Sequence, residues 1–189
     1  MKALRQFVLT PLLITLVSLP VLAQQTPTNK DYVYLGIGDV GFSPSWAESN
    51  TVYKNPSFTI GGGKYYNDNL IFDGFLRYSE NQNKAKTIKM DVIQLGVSAI
   101  LISDKLGDSP IKLYVKTSAI SAYQDARSLP NGDYSTSEAG GVFDIGAGFE
   151  WDIGSDFWVR GEYLYGYATS GLMVDADYDG FLLTIGKGL

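Results

Sequence analysis

Histidine and cysteine are both absent from the 189 residues. Without cysteine there is no disulfide, thiol nucleophile, thiolate metal site or lipidated cysteine. Without histidine there is no imidazole base, no Ser–His pair and no ordinary zinc site. A Ser or carboxylate would have to act without those partners, so the sequence reads as non-enzymatic and without a cofactor. Charge is sparse at 19% of residues, and the 20 acids outnumber the 15 Lys and Arg. An acidic balance argues against nucleic acid as a partner. Beyond the N-terminus no segment reaches 18 uncharged apolar residues, so no helix is expected to cross a membrane. What is abundant is Gly, at 21 residues, and Tyr, at 13. That composition points to β-structure.

Residues 1–23 read as a secretory signal peptide. Lys2 and Arg5 give the positive start, Phe7 to Leu19 the apolar core, and Pro20 followed by Val21-Leu22-Ala23 the cleavage region. The core falls short of the ~20 residues a spanning helix needs. Cleavage after Ala23 would leave 13 basic and 20 acidic side chains, a net charge of −7. Residues 24–31 form a short periplasmic lead-in, and residues 32–189 are expected to form the folded domain.

That domain alternates with period two. In residues 142–153, Phe143, Ile145, Ala147, Phe149, Trp151 and Ile153 share one face, and Asp144, Gly146, Gly148, Glu150 and Asp152 the other. A strand separates these sets, whereas a helix would mix them. After a tight turn at 154–156, Val159, Gly161, Tyr163, Tyr165 and Tyr167 oppose Trp158, Arg160, Glu162 and Leu164. Residues 69–79, 111–120 and 181–189 repeat the logic, residues 32–38 and 57–66 do so more weakly, and residues 88–102 are apolar on both faces at points. This gives eight strands. Connections at 39–56, 80–87, 121–138 and 168–177 are long or polar, and those at 67–68, 103–110 and 154–156 are shorter. Alternating connection lengths fit an antiparallel up-and-down meander.

Eight alternating strands fit two barrels. A soluble barrel buries its apolar face and binds an apolar ligand, whereas a membrane barrel turns that face to lipid. Three features favour lipid. The polar face is rich in Gly and Ser, which suits a narrow lumen. Its charges, Lys112, Lys116, Asp144, Glu150, Arg160 and Glu162, come from three consecutive strands and can pair across them. Tyr66, Tyr78, Trp151, Phe157, Tyr165 and Tyr167 end the apolar faces, as interfacial girdles do.

The run Gly146-Ala147-Gly148-Phe149-Glu150-Trp151, a turn, then Trp158-Val159-Arg160-Gly161-Glu162-Tyr163 resembles the last hairpins of small outer-membrane barrels. These are the OmpA-like, OmpX-like and opacity-protein group. Residues 61–69, GGGKYYNDN, resemble the group's second strand and first periplasmic turn. The resemblance implies an all-β, eight-stranded antiparallel transmembrane barrel in the outer membrane of a Gram-negative bacterium. It implies outer-membrane lipid, lipopolysaccharide and the barrel assembly machinery as partners, and a monomer. Lys187 and Leu189 stand where the group carries aromatic residues, and so does Lys64. A lysine near the interface can snorkel at little cost.

The remaining site candidates are few. The six lumen charges read as a salt-bridged plug, with a narrow porin-like channel as the alternative; diffusive flow takes about 16 strands. Asp175-Ala176-Asp177-Tyr178-Asp179-Gly180 begins like a calcium loop, D-x-D-x-D-G, but the twelfth position is Gly186 instead of Glu. Asp175, Asp177 and Asp179 are the one metal candidate, and an acidic, solvated strand end is the stronger reading. Expected function is structural or surface-interaction (adhesin-like), through extracellular loops whose contacts would be Phe42, Trp46, Tyr53, Tyr123 and Tyr134.

Overall fold

A computed structural model describes residues 30–43, 52–54, 56–83, 87–128, 135–170 and 176–189. The signal peptide, most of the lead-in, Trp46, Tyr134 and Asp175 lie outside them. Ten strands follow in chain order: β1 (Asp31–Gly38), β2 (Gly41–Ser43), β3 (Val52–Lys54), β4 (Ser57–Tyr65), β5 (Leu70–Asn83), β6 (Ile88–Ile102), β7 (Ile111–Ser128), β8 (Ser135–Gly154), β9 (Phe157–Ala168) and β10 (Asp177–Gly188). Among the described residues there is no helix. Every pairing is antiparallel, neighbours in the chain pair in turn, and β1 closes the sheet on β10.

Ten strands make eight staves. The β2 residues keep the register that β1 sets on β10: Gly38 faces Leu182 and Gly41 faces Asp179. They form one stave, irregular at Asp39 and Val40. Likewise β3 continues β4 along β5, but Lys54 faces Asn81 where Phe58 faces Tyr78, a shift of one residue. Pro56 interrupts the ladder there, since it has no N–H to donate.

The faces separate as the alternation predicts. The outer wall carries Val33, Leu35, Ile37, Phe58, Ile60, Leu76, Leu95, Val97, Phe181 and Leu183, all exposed. Among the described residues the interior holds sixteen buried polar or charged side chains, Arg77, Gln94 and Asp144 among the most enclosed. Apolar outside and polar inside is stable only where the outside is not water. Lys64 and Lys187 both point outward near one rim, where Lys64 meets Asp31 at 3.6 Å and Lys187 lies over the Phe157 ring at 5.2 Å.

That rim carries the tight turns. Asn67 accepts hydrogen bonds from the N–H groups of Asn69 (2.9 Å) and Leu70 (2.7 Å), a side chain mimicking a turn. Gly154, Ser155 and Asp156 all adopt positive φ, at 86°, 54° and 64°. At the opposite rim the strands are uneven. β7 has 18 residues and β8 has 20, against 12 each in β9 and β10. At ~3.3 Å per residue and a tilt of ~40°, an 18-residue strand rises ~45 Å, well beyond the ~25 Å apolar band of such barrels. So β5–β8 stand proud of the membrane on one side. Within the loops expected at 80–87 and 121–138, residues 80–83, 121–128 and 135–138 are therefore strand, reaching Asn83 and Ser128 and resuming at Ser135. Outside the membrane both faces are wet, so the apolar/polar contrast that marks a strand disappears there.

A closed barrel with a lipid-facing wall resists detergent until heated. Unboiled protein is expected to migrate differently in gels from boiled protein. Recovery of the mature chain as a water-soluble monomer would contradict that.

Candidate functional site: the lumen and the outer rim

The lumen is built in layers. Near the tight-turn end, β8 places Glu150 opposite Arg160 of β9. Arg160 Nε donates to Glu150 Oε2 at 2.8 Å, and Lys112 of β7 lies 3.7 Å from Oε1. Tyr65 donates its hydroxyl to the same carboxylate at 3.3 Å. The Arg160 guanidinium lies over the Trp158 ring at 4.1 Å and beside Tyr32 at 5.2 Å. Aromatic faces attract a cation, and a planar guanidinium stacks on them well.

One layer further in, Lys116 donates to Glu162 at 2.6 Å, and Tyr114 donates its hydroxyl to the same carboxylate at 3.1 Å. Gly146 and Gly148 fall between Asp144 and Glu150 on β8 and leave room for these chains. Asp144 stands apart from the others. It faces Ser118 in register, and among the described residues neither carboxylate oxygen has a partner at full hydrogen-bond geometry. Of the six predicted charges, the structure thus joins five in two groups and leaves Asp144 outside both.

Sequence reasoning missed the group that ties distant strands together. Arg77 is fully buried, and its guanidinium donates to Thr59 at 3.0 Å and, at short range, to the Tyr178 hydroxyl. Tyr178 donates in turn to Gln94 at 3.0 Å, and Tyr32 donates to Asp73 at 3.2 Å. Arg77 was legible as a polar-face residue, but its partner lies 101 positions away. With it the lumen charges balance, Arg77, Lys112, Lys116 and Arg160 against Asp73, Asp144, Glu150 and Glu162.

Towards the tall rim the lumen mixes apolar and polar side chains, with Ser79, Asn81 and Gln124 buried level with Met90 and Val92. Val40, Met90, Val92, Val142 and Ala168 are buried there, and Phe42 stacks on Tyr178 with ring centroids 5.0 Å apart. This corrects the reading of Phe42 as a loop contact, because its ring closes the lumen. Tyr123 is corrected too. It faces outward from β7, between Ile93 and Ala139, and is a wall residue rather than a loop residue. Tyr53 lies on β3.

The outer wall changes character just beyond Tyr78 and Tyr123. Asp91 accepts from Tyr78 (2.6 Å) and Arg127 (3.1 Å), and Lys89 meets Glu80 at 2.5 Å. On the other side of the barrel, Asp179 accepts from Tyr163 and Asp177 from Tyr165, each at 3.2 Å. Outward tyrosines donating to outward aspartates mark the boundary between lipid and water. Asp177 and Asp179 therefore sit on an extended strand, not in a calcium loop. No group of three or more metal-ligating carboxylates occurs among the described residues.

A closed eight-stave barrel with an apolar wall, a tyrosine belt and a charge-balanced lumen defines a transmembrane β-barrel of the small outer-membrane class. The family model described as "Outer membrane protein beta-barrel domain" matches residues 9–187, and the chain belongs to that family. Three solved structures share the fold. Neisserial surface protein A is 19% identical with a TM-score of 0.64, covering 83% of this chain and 96% of that one. Ail, the attachment invasion locus protein of Yersinia pestis, is 15% identical with a TM-score of 0.59, covering 85% and 99%. The N-terminal β-barrel domain of Pseudomonas aeruginosa OprF is 16% identical with a TM-score of 0.55, covering 87% and 100%. No curated protein matches the chain. The protein is thus an outer-membrane β-barrel of a Gram-negative bacterium, as the resemblance of its hairpins implies.

Proposed function

We propose that this barrel is a non-enzymatic, non-conducting surface-interaction protein, adhesin-like in role, that meets its partners with the tall rim of β5–β8. The observation that carries the reading is the unequal height of the wall. Strands that only had to span lipid would stop near the length of β9 and β10, and an extension into water has no use for the bilayer. Two features support the exclusion of a channel. The lumen is crossed by two ion-paired layers, and the Phe42–Tyr178 stack and the aliphatic chains around it close the tall end. The names of two structural relatives, a surface protein and an attachment protein, are consistent with the role.

In this reading residues 1–23 are removed on export and the folded chain is a monomer. Outer-membrane lipid and lipopolysaccharide surround the wall, and the barrel assembly machinery inserts it. Any contact by Trp46 or Tyr134 belongs to the segments joining β2 to β3 and β7 to β8.

The test replaces residues 44–51 and 129–134 with short Gly/Ser turns, leaving Phe42 and the described strands in place. The gel shift is expected to persist while adhesion of displaying bacteria to host cells or matrix is lost. In planar bilayers the unaltered protein should pass little steady current. Undiminished adhesion by the shortened protein would sink the surface-interaction reading, and a large stable conductance would promote the channel.

A further inference from the structure

The tight-turn end of the barrel is hollow. A cavity of about 560 Å³ opens there, at the level of the layer that pairs Glu150 with Arg160. Outer-membrane barrels carry their short turns on the periplasmic side, so the cavity is a periplasmic mouth. Its volume falls within the ~300–1,000 Å³ of sites that hold small ligands. Tyr32, Tyr65, Trp158 and Glu150 line it from within the lumen. Three connections form its lip, with Asp68 between β4 and β5, Asp104 between β6 and β7, and Asp156 in the turn between β8 and β9.

Two features of this lining call for a ligand. The first is charge. Six carboxylates line the cavity against three lysines, Lys30, Lys105 and Lys112, a surplus of three negative charges. Counting Arg160, which pairs with Glu150, still leaves a surplus of two. Lys112 and Arg160 are committed to Glu150, and Lys105 lies 3.5 Å from Asp152. Asp104 and Asp156 are exposed and make no ion pair among the described residues. A concave mouth with low-dielectric walls and one sign of charge concentrates the opposite sign. The second feature is an unused donor. Trp158 is 6% exposed, and its indole N–H has no acceptor among the described residues. Arg160 lies over the ring at 4.1 Å and Tyr32 packs across it with centroids 5.4 Å apart, so the ring is held in place. Native proteins leave few buried donors unpaired, and this one belongs to a residue on the wall of a cavity.

Together the two demands select the chemistry of the ligand. A metal ion or a protonated polyamine brings positive charge but no acceptor for the indole. An anion brings an acceptor but is repelled by the lip. A basic polypeptide brings both, as ammonium or guanidinium groups on its side chains and carbonyl oxygens along its main chain. We propose that the periplasmic mouth binds an extended basic segment of a periplasmic polypeptide. Its Lys or Arg side chains meet Asp104 and Asp156, and a main-chain carbonyl accepts from Trp158. The site lies at the opposite end of the barrel from the tall rim, so its occupation is independent of any adhesion there.

The test uses the full mature chain in nanodiscs of zwitterionic lipid, with the peptide acetyl-Gly-Lys-Gly-Lys-Gly-amide as probe. A twin carrying Glu in place of Lys, and spermidine, are the comparisons. One variant pair, Asp104→Asn with Asp156→Asn, removes two charges at the mouth. A second pair, Asp125→Asn with Glu138→Gln, removes two from the tall extension. Retention of the gel shift shows that each folds. The lysine peptide is expected to bind and the glutamate twin is not. The mouth pair should weaken binding at least tenfold, and the tall-rim pair should change it less than twofold. In NMR spectra the Trp158 indole N–H signal, assigned by its loss in Trp158→Phe, should shift when the peptide is added but not when spermidine is. If Trp158→Phe loses the gel shift, Trp46→Phe and Trp151→Phe assign the signal by elimination.

Absent binding of the lysine peptide overturns the site. Equal weakening by the two variant pairs does so as well, because overall charge would then be the attraction. Spermidine binding as tightly as the peptide, or an indole signal that the peptide leaves unmoved, overturns the polypeptide as the ligand.

Discussion

Replacing Glu162 with alanine is expected to destabilise the folded barrel by about 3–5 kcal/mol, the usual cost of leaving a buried charge without its partner. Lys116 is 6% exposed, and its ammonium sits 2.6 Å from the Glu162 carboxylate. Without that carboxylate the ammonium still lies 5.9 Å from the Phe75 ring centroid, a weak substitute for the lost anion. The Arg160–Glu150 pair should be more forgiving. If Arg160 is truncated, Glu150 keeps Lys112 at 3.7 Å and the Tyr65 hydroxyl at 3.3 Å. The double replacement Lys116→Met with Glu162→Leu removes both charges at similar volume. It should recover to within about 1–2 kcal/mol of the wild type, because an apolar isostere of a buried pair is often neutral. Reversible urea unfolding in lipid, followed by tryptophan fluorescence, measures all of these. A cost below about 1 kcal/mol for Glu162→Ala would mean that water reaches Lys116 freely. The plugged lumen, and with it the non-conducting reading, would then give way to the channel.

That experiment also probes what the sequence could and could not convey. The faces were legible because lipid and lumen impose opposite demands on neighbouring residues. Leu113 and Val115 alternate with Lys112, Tyr114 and Lys116 for no other reason. Pairing of Lys112, Glu150 and Arg160 was legible because consecutive antiparallel strands lie side by side. The bond from Arg77 to Tyr178 was not, since it crosses the lumen between strands that are not neighbours, and periodicity carries no information about which residues meet across a barrel. Strand ends were also hidden. Tyr123, Asp125 and Arg127 face outward while Ala122, Gln124 and Ala126 face in, and neither set is apolar enough to reveal the alternation. Phe42 was misread for a related reason. An aromatic among Gly and Ser beyond the first strand suggests a loop, but it keeps the inward phase of Tyr32 and Tyr34 and so lands in the lumen.

The narrow lumen explains the second large effect, at a residue with no side chain. Gly148 lies on the inner face of β8 between the two ion-paired layers. A Cβ there would stand 2.2 Å from the Gly161 carbonyl oxygen and 2.9 Å from the Glu162 Cα. Both are backbone atoms of the neighbouring stave, so relief would require β8 and β9 to separate where Glu162 reaches Lys116. Gly74 has the opposite surroundings. It faces outward on β5, and the nearest atom to an added Cβ is the Gly96 carbonyl oxygen at 3.7 Å, an ordinary contact. Gly148→Ala is therefore expected to cost more than about 3 kcal/mol, the upper end of what overpacking usually does, and to depress the yield of heat-modifiable protein. Gly74→Ala should be neutral or stabilising by up to about 1 kcal/mol, because the unfolded chain loses more freedom than the strand does. Refolding both variants side by side and comparing the unboiled gel bands decides the matter. Equal yields would show that β8 and β9 can part at Gly148 without loss. The layered lumen would then be too loose to hold Lys116 against Glu162.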